Sequence, residues 1–185
     1  LRHLYHEDPF FQSVPVMLTI HNLGYQGLFP PHILPQISLH AGLYTVDGLE
    51  FYGKVNLLKG GILCSDFVTT VSRKYAQEIQ TAEFGHGLEG VLASISDRVE
   101  GILNGVDYEA WNPATDKLIA ANYTPDNLKG KETCKRALLQ KMGVQNPDLT
   151  KPVVGIVSRF AAQKGFDLIA GAAEEIAALD LYVVA

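Results

Sequence analysis

Short apolar runs rich in β-branched residues alternate with helix-like runs along most of this chain. The predicted strands cover residues 14–20, 66–71, 99–103, 153–157 and 180–185. Apolar residues recur with helix-like spacing in residues 54–64, 72–80, 88–95, 126–142 and 166–179. A long loop is predicted for residues 23–47. This alternation is typical of a parallel sheet with helices on both of its faces. We therefore predict an α/β fold.

The composition favours a globular protein with a packed core and argues against several kinds of partner. Hydrophobic residues make up 47% of the 185 residues, which is enough for a packed core, and the net charge is -5. An acidic balance argues against nucleic acid as a partner. No run of about 18 apolar residues is present, so we expect no membrane partner. Cys64 and Cys134 form no CxxC or CxxH pair, which predicts two reduced thiols and no metal site.

Both ends of the sequence resemble cuts within a longer chain. The first residues are polar, with no initiator methionine and no secretory signal, and the last residues lie within an apolar, strand-like run. We interpret the chain as an internal piece of a longer protein.

The segment SRFAAQKG, residues 158–165, places two cations on a loop between a predicted strand and a predicted helix. The guanidinium of Arg159 matches phosphate oxygens in pairs, and Lys164 supplies a mobile charge. The helix that follows adds backbone N–H groups that favour an anion. The alternative is a solvated pair, or ion pairs with Asp167 or Glu174. Neither the GxGxxG fingerprint nor the GxxxxGK[ST] loop is present.

Polar residues also follow the predicted strands of the first half, where open α/β sheets bind ligands. The HNLGYQG stretch supplies His21, Asn22, Tyr25 and Gln26, a mixture of donors, acceptors and one ring that suits a polyhydroxylated ligand. The alternative is a structural loop. Asn104 and Gly105 follow the third predicted strand at a predicted domain junction, and they either turn the chain or offer amide groups to a ligand.

The EFGHGLEG stretch, residues 83–90, is rich in glycine, which permits a close approach of the backbone to another group. His86 and Glu89 are candidate acid–base residues within it. A plain glycine-rich turn is the alternative.

Together these motifs resemble a known family. The segments that carry the resemblance are TIHNLGYQG (19–27), GLEFYGKVNLLKGGILCSDFVTTVS (48–72), EFGHGLEGVL (83–92), GILNGVDYEAWNPATD (101–116) and SRFAAQKGFDLI (158–169). They are similar to bacterial glycogen synthases and plant starch synthases, the ADP-glucose-dependent α-1,4-glucan glucosyltransferases. The resemblance runs in order over nearly the whole chain.

The resemblance implies a GT-B fold, in which two Rossmann-like domains face each other across a cleft. Residues 1–104 would be the C-terminal part of the acceptor-side domain, and residues 105–185 the start of the nucleotide-sugar domain. The implied activity is transfer of glucose to the non-reducing end of glycogen or starch with retention of anomeric configuration. ADP-glucose is the implied donor, and no resident cofactor or metal is implied.

The resemblance also assigns roles to residues. Arg159 and Lys164 fall on the family's cations that hold the donor diphosphate, and Asn104 with Gly105 falls beside the donor. The HNLGYQG loop would border the cleft that receives glucan or glucose.

The family's N-terminal KxGG loop, its DWH histidine and its later acidic residue have no counterpart in this sequence. We therefore expect the chain alone to be inactive. The alternatives are a GT-B glucosyltransferase with another donor or acceptor, and a non-catalytic sugar- or nucleotide-binding module. The expected location is the bacterial cytoplasm rather than a plastid. The sequence fixes neither the choice between ADP-glucose and UDP-glucose nor the oligomeric state.

Overall fold

Eight short strands and seven α-helices occur in residues 5–185, the part of the chain that the computed structural model describes. The strands are β1 (Met17–Ile20), β2 (Leu28–Phe29), β3 (Glu50–Phe51), β4 (Lys54–Asn56), β5 (Phe67–Thr70), β6 (Val99–Gly101), β7 (Val153–Gly155) and β8 (Tyr182–Val184). The helices are α1 (Pro9–Gln12), α2 (Leu57–Cys64), α3 (Arg73–Glu78), α4 (Glu89–Ser94), α5 (Lys129–Lys141), α6 (Phe166–Gly171) and α7 (Ala173–Ala177). Short 3-10 helices cover Pro31–Ile37, Ala41–Leu43, Ser96–Arg98 and Ala162–Lys164.

The chain divides into two compact units, Leu1–Gly105 and Val106–Ala185. In the first unit, β1, β5 and β6 form a parallel sheet in the order β1-β5-β6. The prediction of parallel strands is confirmed, although each strand is shorter than its apolar run. The register is reinforced by side chains, because the Oγ1 atoms of Thr19 and Thr69 lie 2.9 Å apart and Thr70 Oγ1 donates to the Ile20 carbonyl at 2.7 Å.

The core of the first unit lies between this sheet and its helices. Its fully or nearly fully buried members are Ile20, Leu23, Ile62, Val68, Ile79, Leu88, Leu92 and Ile95. These residues come from β1, β5, α2, α4 and the loops between them, so strands and helices contribute to the same cluster. The burial of such large aliphatic side chains is the main favourable term for this unit.

Residues 23–56 contain more regular secondary structure than the sequence predicted. The expected loop contains β2 and two 3-10 helices, and β4 lies where the first turn of a helix was predicted at residues 54–56. Strands β2, β4 and β3 form a small antiparallel sheet in that order. A second apolar cluster of Leu34, Leu49 and Val55 stabilises this sheet. The prediction was wrong here because these strands, unlike the other short strands, lie outside any continuous apolar run.

Side-chain caps begin two helices of the first unit, and the cap at Ser72 was predicted. Ser72 Oγ accepts a hydrogen bond from Tyr75 N at 2.9 Å and begins α3, as predicted. Asn56 Oδ1 accepts one from Lys59 N at 2.9 Å and begins α2. Each cap satisfies one of the backbone donors that a helix start leaves free.

The second unit contains the parallel pair β7 and β8 together with α5, α6 and α7. Helix α5 ends before Gly143, whose φ of 93° is the left-handed conformation expected of a C-terminal glycine. The predicted helix at 166–179 is instead two short helices separated at Ala172, which has φ -103° and ψ 15°. Gly171 directly precedes this break, and glycine is a poor helix former.

None of the helices within residues 5–185 has the length and apolar character that a membrane-spanning helix requires. In the same residues, no group of three or more His, Cys, Asp or Glu side chains is arranged to hold a metal ion.

Candidate active site

Three parallel strands of the first unit end at one edge of the sheet. His21 follows β1, Ser72 follows β5 and Asn104 follows β6 after two further residues. The end of β6 lies against the loop after β5, since a Cβ on Gly101 would lie 2.2 Å from the Ser72 carbonyl oxygen. The first unit therefore gathers its predicted site residues at the edge where α/β sheets bind ligands.

The HNLGYQG loop is anchored at its centre. Leu23 is completely buried, and its N–H donates to Tyr75 Oη at 3.0 Å. Asn22 Oδ1 accepts from Gly24 N at 2.9 Å, which forms a tight turn around Leu23. With the centre fixed, His21 on one side and Tyr25 on the other remain exposed, the latter at 72%. Both side chains are accessible to a ligand.

Gln26 occupies a different environment from its neighbours in the loop. Its side chain is buried, donating from Nε2 to the His86 carbonyl at 3.1 Å and accepting at Oε1 from Asn56 Nδ2 at 2.7 Å. Leu58 N donates to the Gln26 carbonyl at 3.0 Å. The sequence grouped Gln26 with the ligand-contacting residues, whereas these bonds give it a positioning role. Asn56 was not identified from the sequence as a member of this network.

The EFGHGLEG segment lies directly beside this loop. His86 is exposed and has φ 50°, and Gly87 has φ 84°. A Cβ on Gly24 would lie 3.8 Å from His86 Nε2, so the imidazole is next to the turn at Asn22. Glu89 Oε2 is buried and has no hydrogen-bond partner within the described residues. The turn thus holds an imidazole beside the HNLGYQG loop.

Asn104 and Gly105 are exposed and lie at the end of the first unit. The sequence predicted that Gly105 either forms a turn or presents amide groups to a ligand. Gly105 is not among the described glycines with positive φ, and a Cβ there would meet no atom within 4 Å. Residues 102–107 form no turn, so the alternative in which Asn104 and Gly105 present exposed amide groups to a ligand is the one consistent with the structure.

Arg159 and Lys164 lie in the second unit, on the loop that follows β7. Lys164 ends the 3-10 helix Ala162–Lys164, and Gly165 adopts φ 71° before α6 begins. Both cations are exposed. The rings of Phe160 and Phe166 stack at 4.5 Å across the loop, which joins its start to α6.

Neither cation is neutralised by the partners considered from the sequence. Within the described residues, Arg159 and Lys164 form no ion pair with Asp167 or Glu174. The predicted contribution of a long helix is smaller than expected, because α6 has only 6 residues. The case for anion binding therefore depends on two exposed cations held five residues apart by a short, structured loop.

The predicted site residues of each unit lie on loops, and all of them except Gln26 are exposed. A mostly apolar cavity of about 300 Å³ lies between residues 39–49 and α2, and none of the predicted site residues lines it. Ligand contacts at the predicted residues would come from exposed side chains on loops, as at many α/β sites.

Several known proteins are similar to this chain in sequence. The family model of the starch synthase catalytic domain matches residues 1–94. A glycogen synthase from Koribacter versatilis is 58% identical over 177 residues, covering 96% of this chain and 36% of that protein. A glycogen synthase from Thermotoga maritima is 47% identical over 184 residues, covering all of this chain and 38% of that protein.

A solved structure is similar over almost the same length. The catalytic domain of starch synthase IV from Arabidopsis thaliana, bound to ADP and acarbose, matches with a TM-score of 0.87 and 36% identity. The match covers 97% of this chain and 38% of that chain. This chain thus spans little more than a third of the length of the proteins that it matches.

Proposed function

This chain belongs to the starch synthase catalytic domain family, and we propose that it serves in a retaining glucosyltransferase of glycogen or starch synthesis. The α/β fold is the GT-B fold of that family. The proposed reaction transfers glucose from ADP-glucose to the non-reducing end of an α-1,4-glucan. Relatives named glycogen synthase and a similar starch synthase structure bound to ADP and acarbose support this proposal.

The observation that carries the proposal is the pair of unneutralised cations at residues 159 and 164. When the bond between glucose and ADP breaks, negative charge develops on the departing diphosphate. Arg159 offers a planar fork of donors and Lys164 a mobile charge, both exposed on one loop. Groups that are already in place where charge develops stabilise the transition state more than the ground state.

The exposed residues of the first unit supply the proposed sugar contacts. His21, Asn22 and Tyr25 would bind hydroxyl groups and one sugar face, and Gln26 would hold their loop in position. Asn104, with Gly105 beside it, would contact the donor from the end of β6.

The two units take different roles in this proposal. Residues 1–104 correspond to the acceptor-side domain and residues 105–185 to the start of the nucleotide-sugar domain. The chemistry requires no resident cofactor, because the departing phosphate is stabilised by protein cations and helps to deprotonate the acceptor hydroxyl. ADP-glucose and the glucan are the proposed partners, and the bacterial cytoplasm is the proposed location.

A chimera tests the proposal, because the chain spans 36% of the length of its Koribacter versatilis relative. The corresponding segment of that relative is replaced by this chain. Release of ADP and incorporation of labelled glucose into glycogen are then measured. We expect glucan-dependent turnover with ADP-glucose, with the unmodified relative as the control.

The two alternatives give different results in the same assay. Turnover with another nucleotide glucose but not with ADP-glucose would favour a related GT-B enzyme. A folded chimera that binds ADP or glucan without turning over any donor would favour a sugar- or nucleotide-binding module.

A further inference from the structure

Three residues other than glycine have positive φ among the described residues, namely Ser38, Tyr52 and His86. Ser38 follows the 3-10 helix Pro31–Ile37, and its N–H bonds to the carbonyls of Leu34 and Pro35, which is an ordinary use of the left-handed conformation. Tyr52, with φ 48°, and His86, with φ 50°, make no such cap. The left-handed conformation is strained for a bulky side chain, and more so for tyrosine than for histidine.

The two strained residues lie on neighbouring turns. Tyr52 and Gly53 form the two-residue turn between β3 and β4. A Cβ on Gly87, the residue after His86, would lie 3.4 Å from Tyr52 Cε2 and 2.9 Å from Phe51 Cζ. The turns are therefore in contact through Gly87, although 34 positions separate Tyr52 from His86 in the sequence.

Buried polar bonds hold the second turn in its strained conformation. Gln26 Nε2 donates to the His86 carbonyl at 3.1 Å, and Asn56 Nδ2 donates to Gln26 Oε1 at 2.7 Å. Asn56 is completely buried and Gln26 nearly so. A network of this kind is costly to leave half-formed, so it fixes the backbone of His86 relative to the HNLGYQG loop.

Burial does not compensate for the strain at Tyr52. Its side chain is 82% exposed, although its ring contacts the Phe51 ring edge to face at 4.7 Å and lies beside Gly87. Two-residue turns of this kind favour asparagine, aspartate or glycine at the position of Tyr52. Strain that is retained at an exposed aromatic residue is better explained by ligand contact than by folding.

We propose that Tyr52 and His86 form a sugar-binding surface beside the HNLGYQG loop, which contacts a glucosyl unit of the α-1,4-glucan. The proposal deepens and rests on the proposed function, since it assigns a further contact to the same substrate. The Tyr52 ring offers an apolar face for the C–H groups of a sugar, and the His86 imidazole offers a donor and an acceptor for its hydroxyls. The glucose of the donor carries the same groups and is treated as a separate arm of the test.

The substitution Tyr52→Asn separates ligand contact from folding. Asparagine suits the left-handed turn, so we expect a melting temperature that is unchanged or higher. Loss of the ring should weaken binding of maltoheptaose to the chimera described above by about fivefold to tenfold. Binding is measured by isothermal titration calorimetry of the chimera with and without the substitution, and ADP-glucose is titrated in parallel.

Three further variants separate the contribution of each side chain to binding. Tyr52→Phe keeps the ring and should retain maltoheptaose binding. His86→Asn keeps a residue that tolerates positive φ but removes the imidazole, and should weaken binding by a similar factor. His32→Asn makes the same change at another exposed histidine of the first unit and should have no effect.

Three outcomes would overturn the proposal. The first is a folded chimera that shows no saturable binding of maltoheptaose up to its solubility limit. The second is a folded Tyr52→Asn variant that leaves maltoheptaose binding unchanged, because the ring would then make no ligand contact. The third is an effect on ADP-glucose binding alone, which would assign the surface to the donor. Each outcome is independent of whether the chimera turns over ADP-glucose.

Discussion

Gly87 is the residue whose replacement the structure predicts most sharply. Its φ of 84° suits glycine, and a Cβ there would lie 2.9 Å from Phe51 Cζ. We expect Gly87→Ala to lower the free energy of unfolding by about 1–3 kcal/mol, because both the backbone and the ring would have to shift. Urea unfolding monitored by circular dichroism measures the change.

Gly90 provides the control for that substitution. It lies three residues further along, within α4, and a Cβ there would meet nothing within 4 Å. Gly90→Ala should raise the free energy of unfolding by about 0.5–1 kcal/mol, since alanine favours a helix. Equal destabilisation by both substitutions would contradict the account of the 85–87 turn.

At the same scale, the sequence identified residue types better than their environments. It placed His21, Asn22, Tyr25 and Gln26 together, yet only the structure distinguishes the buried Gln26 from the exposed Tyr25. The buried bond between Asn56 and Gln26 joins residues 30 positions apart. Such a long-range pair leaves no local pattern, because it depends on how β4 lies against the loop.

Helix α2 is joined to the preceding loop by a buried lysine. Lys59 is 6% exposed, and its Nζ donates to the carbonyls of Val46 and Glu50 at 2.5 and 2.7 Å. We expect Lys59→Met to reduce the free energy of unfolding by about 1–3 kcal/mol, because two carbonyls lose their donor.

The matched control is Lys74→Met on α3. The Lys74 side chain is 76% exposed and pairs with Glu78 at 3.9 Å. Exposed pairs at this spacing contribute little, so a change within about 0.5 kcal/mol is expected. Amide hydrogen exchange of residues 44–50 should also become faster in the Lys59→Met variant, but not in the Lys74→Met control. Unchanged exchange there would mean that the lysine does not hold the loop.

The hydrogen bonds to Asp148, in the turn before β7, should make the stability of the second unit depend on pH. Thr150 donates to Asp148 Oδ1 from its hydroxyl at 2.7 Å and from its N–H at 2.9 Å, and these bonds lower the pKa of Asp148 below 3.8. A lowered pKa stabilises the fold above the ordinary pKa of aspartate, and this contribution is lost as pH falls through the lowered value. The stability difference between wild type and Asp148→Asn should therefore shrink below about pH 4.

The opposite sign is expected at Lys151. Its hydrogen bond and charge interaction with Asp180 raise the pKa of Lys151 above 10.5. That contribution is present below the ordinary pKa of lysine and is lost as pH rises through the raised value. Urea midpoints should show Asp148→Asn approaching wild type as pH falls below about 4 and Lys151→Met approaching wild type as pH rises above about 10.5. A difference that stays constant with pH would refute this interpretation.

Helices and strands could be predicted from the sequence where their apolar residues form a continuous run or a clear spacing. The three parallel strands of the first unit and the caps at Ser72 and Gly143 followed from apolar runs and from residues with one dominant local role. Strands β2, β3 and β4 were missed because none of them lies within a continuous apolar run, unlike the equally short β6, β7 and β8. Their stability comes from the cluster of Leu34, Leu49 and Val55, which is a tertiary feature.

At the scale of the whole molecule, the family was readable from the order of motifs along the chain. Residues 1–94 match the starch synthase catalytic domain, and the similar starch synthase IV structure covers 97% of the chain. No single motif was specific enough, since Asn104–Gly105 or the two cations at 159 and 164 occur in many loops. What the sequence could not supply was the contact between the turns at Tyr52 and His86, because folding alone brings them together.

The central claim is that Arg159 and Lys164 hold the donor diphosphate, and kinetics of the chimera test it most directly. The double variant Arg159→Ala, Lys164→Ala is compared with Lys117→Ala, Lys141→Ala, which removes the same charge from exposed positions of the second unit. We predict that kcat/KM for ADP-glucose falls by at least about a thousandfold in the first and by less than about threefold in the second. Near-parent activity of a folded Arg159→Ala, Lys164→Ala chimera would contradict the claim.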